Sequence, residues 1–509
     1  MKKLKIVSGL IALVMIVSAV LVACGGGSEE TTSDNPGVIV RPTEEDDSAK
    51  WDYEVKDLQG HDFLFLVVDS KYFHRSTNEV YAEALNGDKV NDAVFKRNAA
   101  LAEKFNCTIS EERSQDPVTT AREPLIAGEY VWDFIYTRVR QLRTLASSNL
   151  LVDLNKLDNL DLTKSWWDQH LCEDLAVSGH LFFATGDAGT LDDRGTWIMF
   201  FNRDLIEIND LENPYDLVAS GEWTIEKMYE LSEKCWVDTD GDGQFYPNGK
   251  DIASYLGEDN NNTYHVLACG VQLSELSSSG DIYLPAQPSK DVLAVWSELK
   301  PLLTSPHRDV SDTGSRFRSG KAGFYGINCG ALLNFADTTI NFGVIPFPKR
   351  NAEQEQYLAG FSPSITSAYA IPVTVDSMSD TAGFESGVEM CAYFLEAYSY
   401  ESVNTLTTAF YDQVLRKQMV RDAESVEMLD LALRNKVYDP VIMYNFGQIG
   451  SIFKQCGSDG SGGTGNKPGA VGTDINYDNL VSTYQSRLDA ARKAIKNYLS
   501  YLDQEDETT

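Results

Sequence analysis

Asp238-Thr239-Asp240-Gly241-Asp242-Gly243-Gln244 places three carboxylates at alternate positions and then a glycine. Hard oxygen ligands at positions 1, 3 and 5, a sharp turn at position 6 and a carbonyl at position 7 are what an EF-hand loop offers Ca²⁺, so Asp238, Asp240, Asp242 and Gln244 are candidate ligands of a structural calcium ion. Position 12 departs from the pattern, because Gly249 stands where a bidentate Glu belongs. A remote carboxylate or Asp251 would have to complete the shell. The alternative is an acidic, glycine-rich turn that binds nothing.

Other short motifs are missing. The sequence holds no H-E-x-x-H, no G-x-S-x-G, no Walker A and no G-x-G-x-x-G opening a helix after a strand, and its six His are scattered. An acid/base carboxylate pair assembled in space would leave no such trace. Apart from Cys24, seven Cys remain at irregular spacing with no C-x-x-C, which points to small buried hydrophobes and leaves an isolated disulfide open.

With 76 Asp plus Glu against 43 Lys plus Arg, the net charge is -33, so phosphate backbones are repelled and nucleic-acid binding is excluded. At 509 residues and 43% hydrophobic content the chain must fold into more than one packed unit.

The N-terminus reads as an address. Lys2, Lys3 and Lys5 precede an apolar run over residues 6–22, which ends in Leu21-Val22-Ala23-Cys24 and then three Gly. This resembles a bacterial lipobox, which implies a signal peptide over 1–23 and a diacylated Cys24. Residues 24–50 are rich in Gly, Ser, Thr and acid, a flexible tether that would hold the body at the outer face of the cytoplasmic membrane.

Strand-length apolar runs at 61–68, 107–110 and 132–136 alternate with helical patterns over 88–105 and through Leu142 and Leu145. That alternation predicts an α/β fold with parallel pairing. A helix is expected over 161–177, and further strands at 178–184, 197–201, 322–327, 340–345 and 368–373. Thr224 is the expected N-cap of a helix through Trp236. Long helices are expected over 382–433 and 477–502, and residues 456–473 form a glycine-rich mobile loop.

Residues 179–202, 213–224, 317–324 and 342–348, in that order and together with the lipobox, resemble the carbohydrate-type solute-binding proteins of bacterial ABC importers, the family related to maltose-binding protein. The resemblance spans nearly the whole chain after the tether. It implies two α/β lobes, 51–196 plus 327–371 and 197–326 plus 372–502. Crossings would fall near Gly195–Ile198, Gly326 and Ile371, with the ligand held in the cleft between the lobes. It further implies a monomer that is not an enzyme, closes on a neutral or weakly charged oligosaccharide and delivers it to membrane permease subunits. Aromatic faces for sugar rings and paired polar atoms for vicinal hydroxyls are expected from Asp69, Tyr72, Tyr136, Arg138, Trp166, Trp167, Asp187, Trp197, Tyr325 and Asn328. The competing class is a surface polysaccharide-processing enzyme with a carboxylate pair in such a cleft.

Overall fold

The computed structural model describes residues 50–71, 79–246, 249–258, 260–277, 280–311, 314–335, 337–410, 422–456 and 477–506. Cys24 and its tether, Tyr72 and residues 457–473 of the glycine-rich loop lie outside them. The strands are β1 (His61–Val68), β2 (Cys107–Ser114), β3 (Phe134–Arg138), β4 (Trp197–Asn202), β5 (Ala253–Leu256), β6 (Glu275–Leu276) and β7 (Ile282–Tyr283). They continue with β8 (Arg308–Asp309), β9 (Ala322–Asn328), β10 (Phe342–Ile345), β11 (Ala359–Gly360), β12 (Ser367–Ala370) and β13 (Lys436–Val437).

Two main sheets result, one in the order β12-β3-β1-β2 and one in the order β10-β4-β9-β5-β8, beside the two-stranded pairs β11-β13 and β6-β7. In the first, β1 runs parallel to β2 and β3. In the second, β5 runs parallel to β8 and β9. The strand that enters each sheet from the other lobe is reversed: β12 is antiparallel to β3, and β4 is antiparallel to β9 and β10.

Both faces of β1 are covered, which its continuous apolar run dictates. Period 2 sends Phe63, Phe65 and Val67 to one core and Leu66 to another. Phe63 stacks on Phe394 of the helix Gly387–Ser402 at 3.7 Å between ring centroids, so that helix belongs to the first lobe. The opposite face meets Val118 and Leu125 of Pro117–Ile126 and Leu142 and Leu145 of Val139–Ala146. In the second lobe β4 and β9 are buried throughout, and Phe200 stacks on Phe335 at 4.8 Å.

The crossings differ from those implied by the resemblance. Ala184 still bridges Tyr369 of β12 in the first sheet, and the chain enters the second sheet with β4 at Trp197. Gly326, however, sits inside β9, and β10 pairs with β4, so residues 322–345 stay in the second lobe. The return lies between β10 and β12. After Ile371 the chain remains in the first lobe through Gly387–Ser402. It is back in the second at the helix Ala423–Arg434, where the Ser425 hydroxyl accepts from the Val344 amide at 2.9 Å. Lobe membership follows hydrogen bonding and helix packing here, and the ranges 327–371 and 372–502 are corrected accordingly.

Local chemistry sets the helix ends. Thr224 caps Ile225–Cys235, its hydroxyl accepting from the Lys227 amide at 3.3 Å. The expected helix over 161–177 is only Gln169–Asp174, capped by Asp168. Residues 178–184 form isolated bridges where a strand was expected. All seven described cysteines are free, and all but half-buried Cys172 are buried. Among the described residues no helix is long and apolar enough to cross a membrane.

Candidate functional site at the lobe crossing

Two backbone segments run side by side between the sheets. The Ser362 amide donates to the Gly195 carbonyl at 3.1 Å, Thr196 bridges Phe361, and the Cys329 amide donates to the Thr196 carbonyl at 2.7 Å. Gly195 is needed for this approach, since a Cβ there would lie 2.1 Å from Thr366 Oγ1. Beside the crossing is a cavity of about 460 Å³. Its walls include Arg140 and Arg143 from the first lobe, Trp197 and Asn328 at the crossing, Ser362 to Ile365 on the return segment, Glu258 and Tyr264 from the second lobe, and Lys454.

Trp197 opens β4 opposite Asn328, which closes β9. Its indole stacks on Tyr264, with ring centroids 4.0 Å apart and planes at 18°. Burial pushes the Tyr264 hydroxyl up to about 12. Tyr264 lies on the helix Asn261–Ala268, whose first residue anchors it: Asn261 Nδ2 donates to Tyr255 Oη at 2.8 Å and to the Gly326 carbonyl at 2.7 Å. Gly326 leaves the space for that amide, because a Cβ would meet it at 2.6 Å. The Tyr255 hydroxyl lies 3.0 Å from His265 Nε2, and burial together with Arg308 holds His265 neutral, well below its ordinary pKa. The site thus combines a rigid aromatic pair with amide, hydroxyl and guanidinium groups. This is equipment for binding a polar ring compound.

Of the residues expected at the ligand, Trp197 and Asn328 line this cavity. Tyr136 lies in the first-lobe core, its hydroxyl donating to Glu79 Oε2 at 2.6 Å and its ring stacked on Tyr369 at 4.2 Å. Trp166 and Trp167 are buried in the same core, where Trp167 Nε1 donates to Glu396 Oε2 at 2.9 Å. Tyr325 packs against Phe200 and Phe317 in the second lobe. Asp187 accepts from Thr407 Oγ1 at 2.7 Å, Arg138 Nε donates to Gln141 Oε1 at 2.9 Å, and Asp69 accepts from the Lys71 amide at 2.9 Å. None of these seven lines the cavity: the four aromatics fill cores, and the three charged side chains bond to neighbours outside it. Arg140, Arg143, Glu258 and Tyr264 were not expected. The signal was available in Asn260-Asn261-Asn262-Thr263-Tyr264, a polar run at a helix start.

The acidic loop lies apart from the cavity residues. A bridge between Val237 and Ile252 closes residues 238–251 and returns Asp251 to the start of the loop. Carboxylate oxygens of Asp238, Asp240 and Asp251 come within 4.8 Å of one another. Amides of Gly243 and Gly241 hold the Asp238 carboxyl below its ordinary value. Asp251 is 1% exposed; its Oδ1 accepts from the Thr239 amide at 2.9 Å, whereas its Oδ2 is buried without a partner. Asp242 lies outside this group, its carboxylate accepting from the Gln244 amide at 2.8 Å.

No family model and no curated protein matches the chain. Solved structures do. A sugar transporter from Rhizobium etli in an open conformation aligns with TM-score 0.53 at 13% identity, over 84% of this chain and 99% of that one. The ABC substrate-binding protein Lmo0181 from Listeria monocytogenes, in complex with cycloalternan, aligns at 0.48 and 10% identity, over 87% and 100%. The GacH receptor of Streptomyces glaucescens GLA.O, solved unliganded and with acarbose and an acarbose homolog, aligns at 0.49 and 12%, over 84% and 99%. The likeness to the Rhizobium protein shows the fold, two α/β lobes, as the sequence led us to expect.

Proposed function

We propose that the protein is an extracytoplasmic receptor that binds a carbohydrate at the lobe crossing and hands it to the permease of an ABC importer. The observation that carries this reading is the cavity itself. An aromatic pair and convergent polar groups stand where the two lobes are joined by adjacent backbone segments, so closing the lobes would take a bound sugar out of water. The sugar-transport role of the Rhizobium etli protein agrees with it. The receptor acts as a monomer, makes no covalent change in its ligand and is held to the membrane by a lipid on Cys24. A glycan-array screen followed by small-angle scattering tests the reading. Binding with a smaller radius of gyration supports it; product release, or binding with an unchanged profile, overturns it.

We also infer that Asp238, Asp240 and Asp251 hold a structural calcium ion. Asp251 supplies the carboxylate missing at position 12, and its buried, unpartnered Oδ2 is the atom an ion would satisfy. The melting temperature should rise with Ca²⁺ and fall with chelator. Asp251→Asn should lose the response, and a wild type indifferent to both would establish the bare acidic turn.

A further inference from the structure

The cavity is charged oppositely to the molecule. Acidic residues outnumber basic ones by 76 to 43 over the chain, yet the charged residues lining this cavity are Arg140, Arg143 and Lys454 against Glu258. Arg140 and Arg143 are three apart on the helix Val139–Ala146, a spacing that puts like charges on one face. That helix begins after Arg138 and has no acid in its first turn, so Arg138 and Arg140 stand at the end where the helix dipole is already positive, with Arg143 one turn further on.

Nearby groups relieve this only in part. Arg138 donates to Gln141, which also donates to Asp116 Oδ1 at 2.8 Å, so Asp116 serves the outer side of the cluster. Arg143 donates to the Met443 carbonyl at 3.0 Å, and burial and the Arg140 charge both push its pKa down. Among the described residues no carboxylate pairs with Arg140, Arg143 or Lys454. Glu258, the acid on the wall, is engaged by Asn260 Nδ2 at 3.5 Å. Lys454 lies on the helix Ile452–Cys456, which packs on the second-lobe helix Asn261–Ala268, so the uncompensated cations come from both sides of the crossing.

We propose that the ligand is an acidic oligosaccharide, whose carboxylate or sulfate groups are gripped by Arg140 and Arg143 from one lobe and by Lys454 from the other. The proposal rests on the reading of this cavity as a carbohydrate site and revises the expectation of a neutral ligand. Guanidinium forks match planar carboxylates and sulfates with paired hydrogen bonds, and the exclusion of water on closure strengthens each contact. An anion spanning both sides would also favour the closed state over the open one, because only there are all three cations satisfied.

Calorimetric titration of the purified protein tests this with trigalacturonate and a chondroitin sulfate disaccharide beside their carboxyl-reduced and desulfated counterparts. An acidic probe should bind roughly tenfold to a hundredfold tighter than its neutral counterpart, with affinity falling as salt rises. Arg140→Gln should remove most of that preference without shifting the melting temperature, since Arg140 is exposed. Neutral probes that match the acidic ones would overturn the charge assignment and leave the carbohydrate reading standing. Acidic probes that bind Arg140→Gln as tightly as wild type would overturn the assignment to this cluster. Binding by neither class would overturn the carbohydrate reading and this proposal with it.

Discussion

Trp197 and Tyr264 share a stacked face across the crossing, 4.0 Å between ring centroids, and the indole is left 3% exposed. Trp197 is therefore a packing residue as well as a wall of the cavity. Trp197→Ala should cost about 3 to 5 kcal/mol of stability, the usual range for removing a buried large aromatic. Chemical denaturation would show it as a lower midpoint at unchanged slope. A wild-type midpoint would mean that the stack contributes nothing to folding.

Glu396 is buried in the first-lobe core, and burial raises its carboxyl from 4.5 to about 8, against the hydrogen bond from Trp167. Below the ordinary value both folded and unfolded chains hold the proton. Between about 4.5 and about 8 the folded state retains a proton that the unfolded state releases, so stability falls as pH rises, by up to about 5 kcal/mol. Glu396→Gln should match wild type near pH 5 and become more stable by pH 8 to 9. Urea titrations across that range would read the difference, and parallel curves would assign the titration elsewhere.

Lys436 lies fully inside a ring of acids, with Nζ 3.0 Å from Asp168, 3.3 Å from Asp192 and 2.9 Å from Asp193. Lys436→Met leaves those carboxylates without their cation and should cost about 3 to 5 kcal/mol at neutral pH. Burial already holds Asp192 well above its ordinary pKa, so it takes up a proton readily and the deficit should narrow in acid. Equal losses at both pH values would show that the lysine acts through packing alone.

Gly195→Ala should weaken the crossing, because the new methyl meets Thr366 Oγ1. Adding Thr366→Ala removes the obstructing oxygen and should restore part of the loss. A single variant as stable as wild type would mean that the segments can separate freely.

Backbone architecture was far more legible in the sequence than the site was. Runs such as Phe63 to Val68 and Phe324 to Ile327 can only be buried strands, and Thr224 marks its helix by chemistry local to the chain. Lobe boundaries were harder, because β10 declares its lobe only by pairing with β4, some 140 residues earlier. The aromatics misled for the same reason: Trp167 and Trp197 look alike in sequence, and only tertiary packing puts one against Glu396 and the other against the cavity. Arg140 and Arg143 carried no motif, since their meaning comes from what fails to surround them.

The seven free thiols set a condition on how this protein can unfold. Within the native state they are inert, since burial pushes Cys107 and Cys235 up to about 12 and the others in the same direction. Once the chain unfolds, all seven become ordinary nucleophiles near neutral pH, with many wrong pairings available and no native one among them to return to. In air each excursion risks capture as a mixed disulfide, so survival under oxidising conditions is governed by how seldom the chain unfolds.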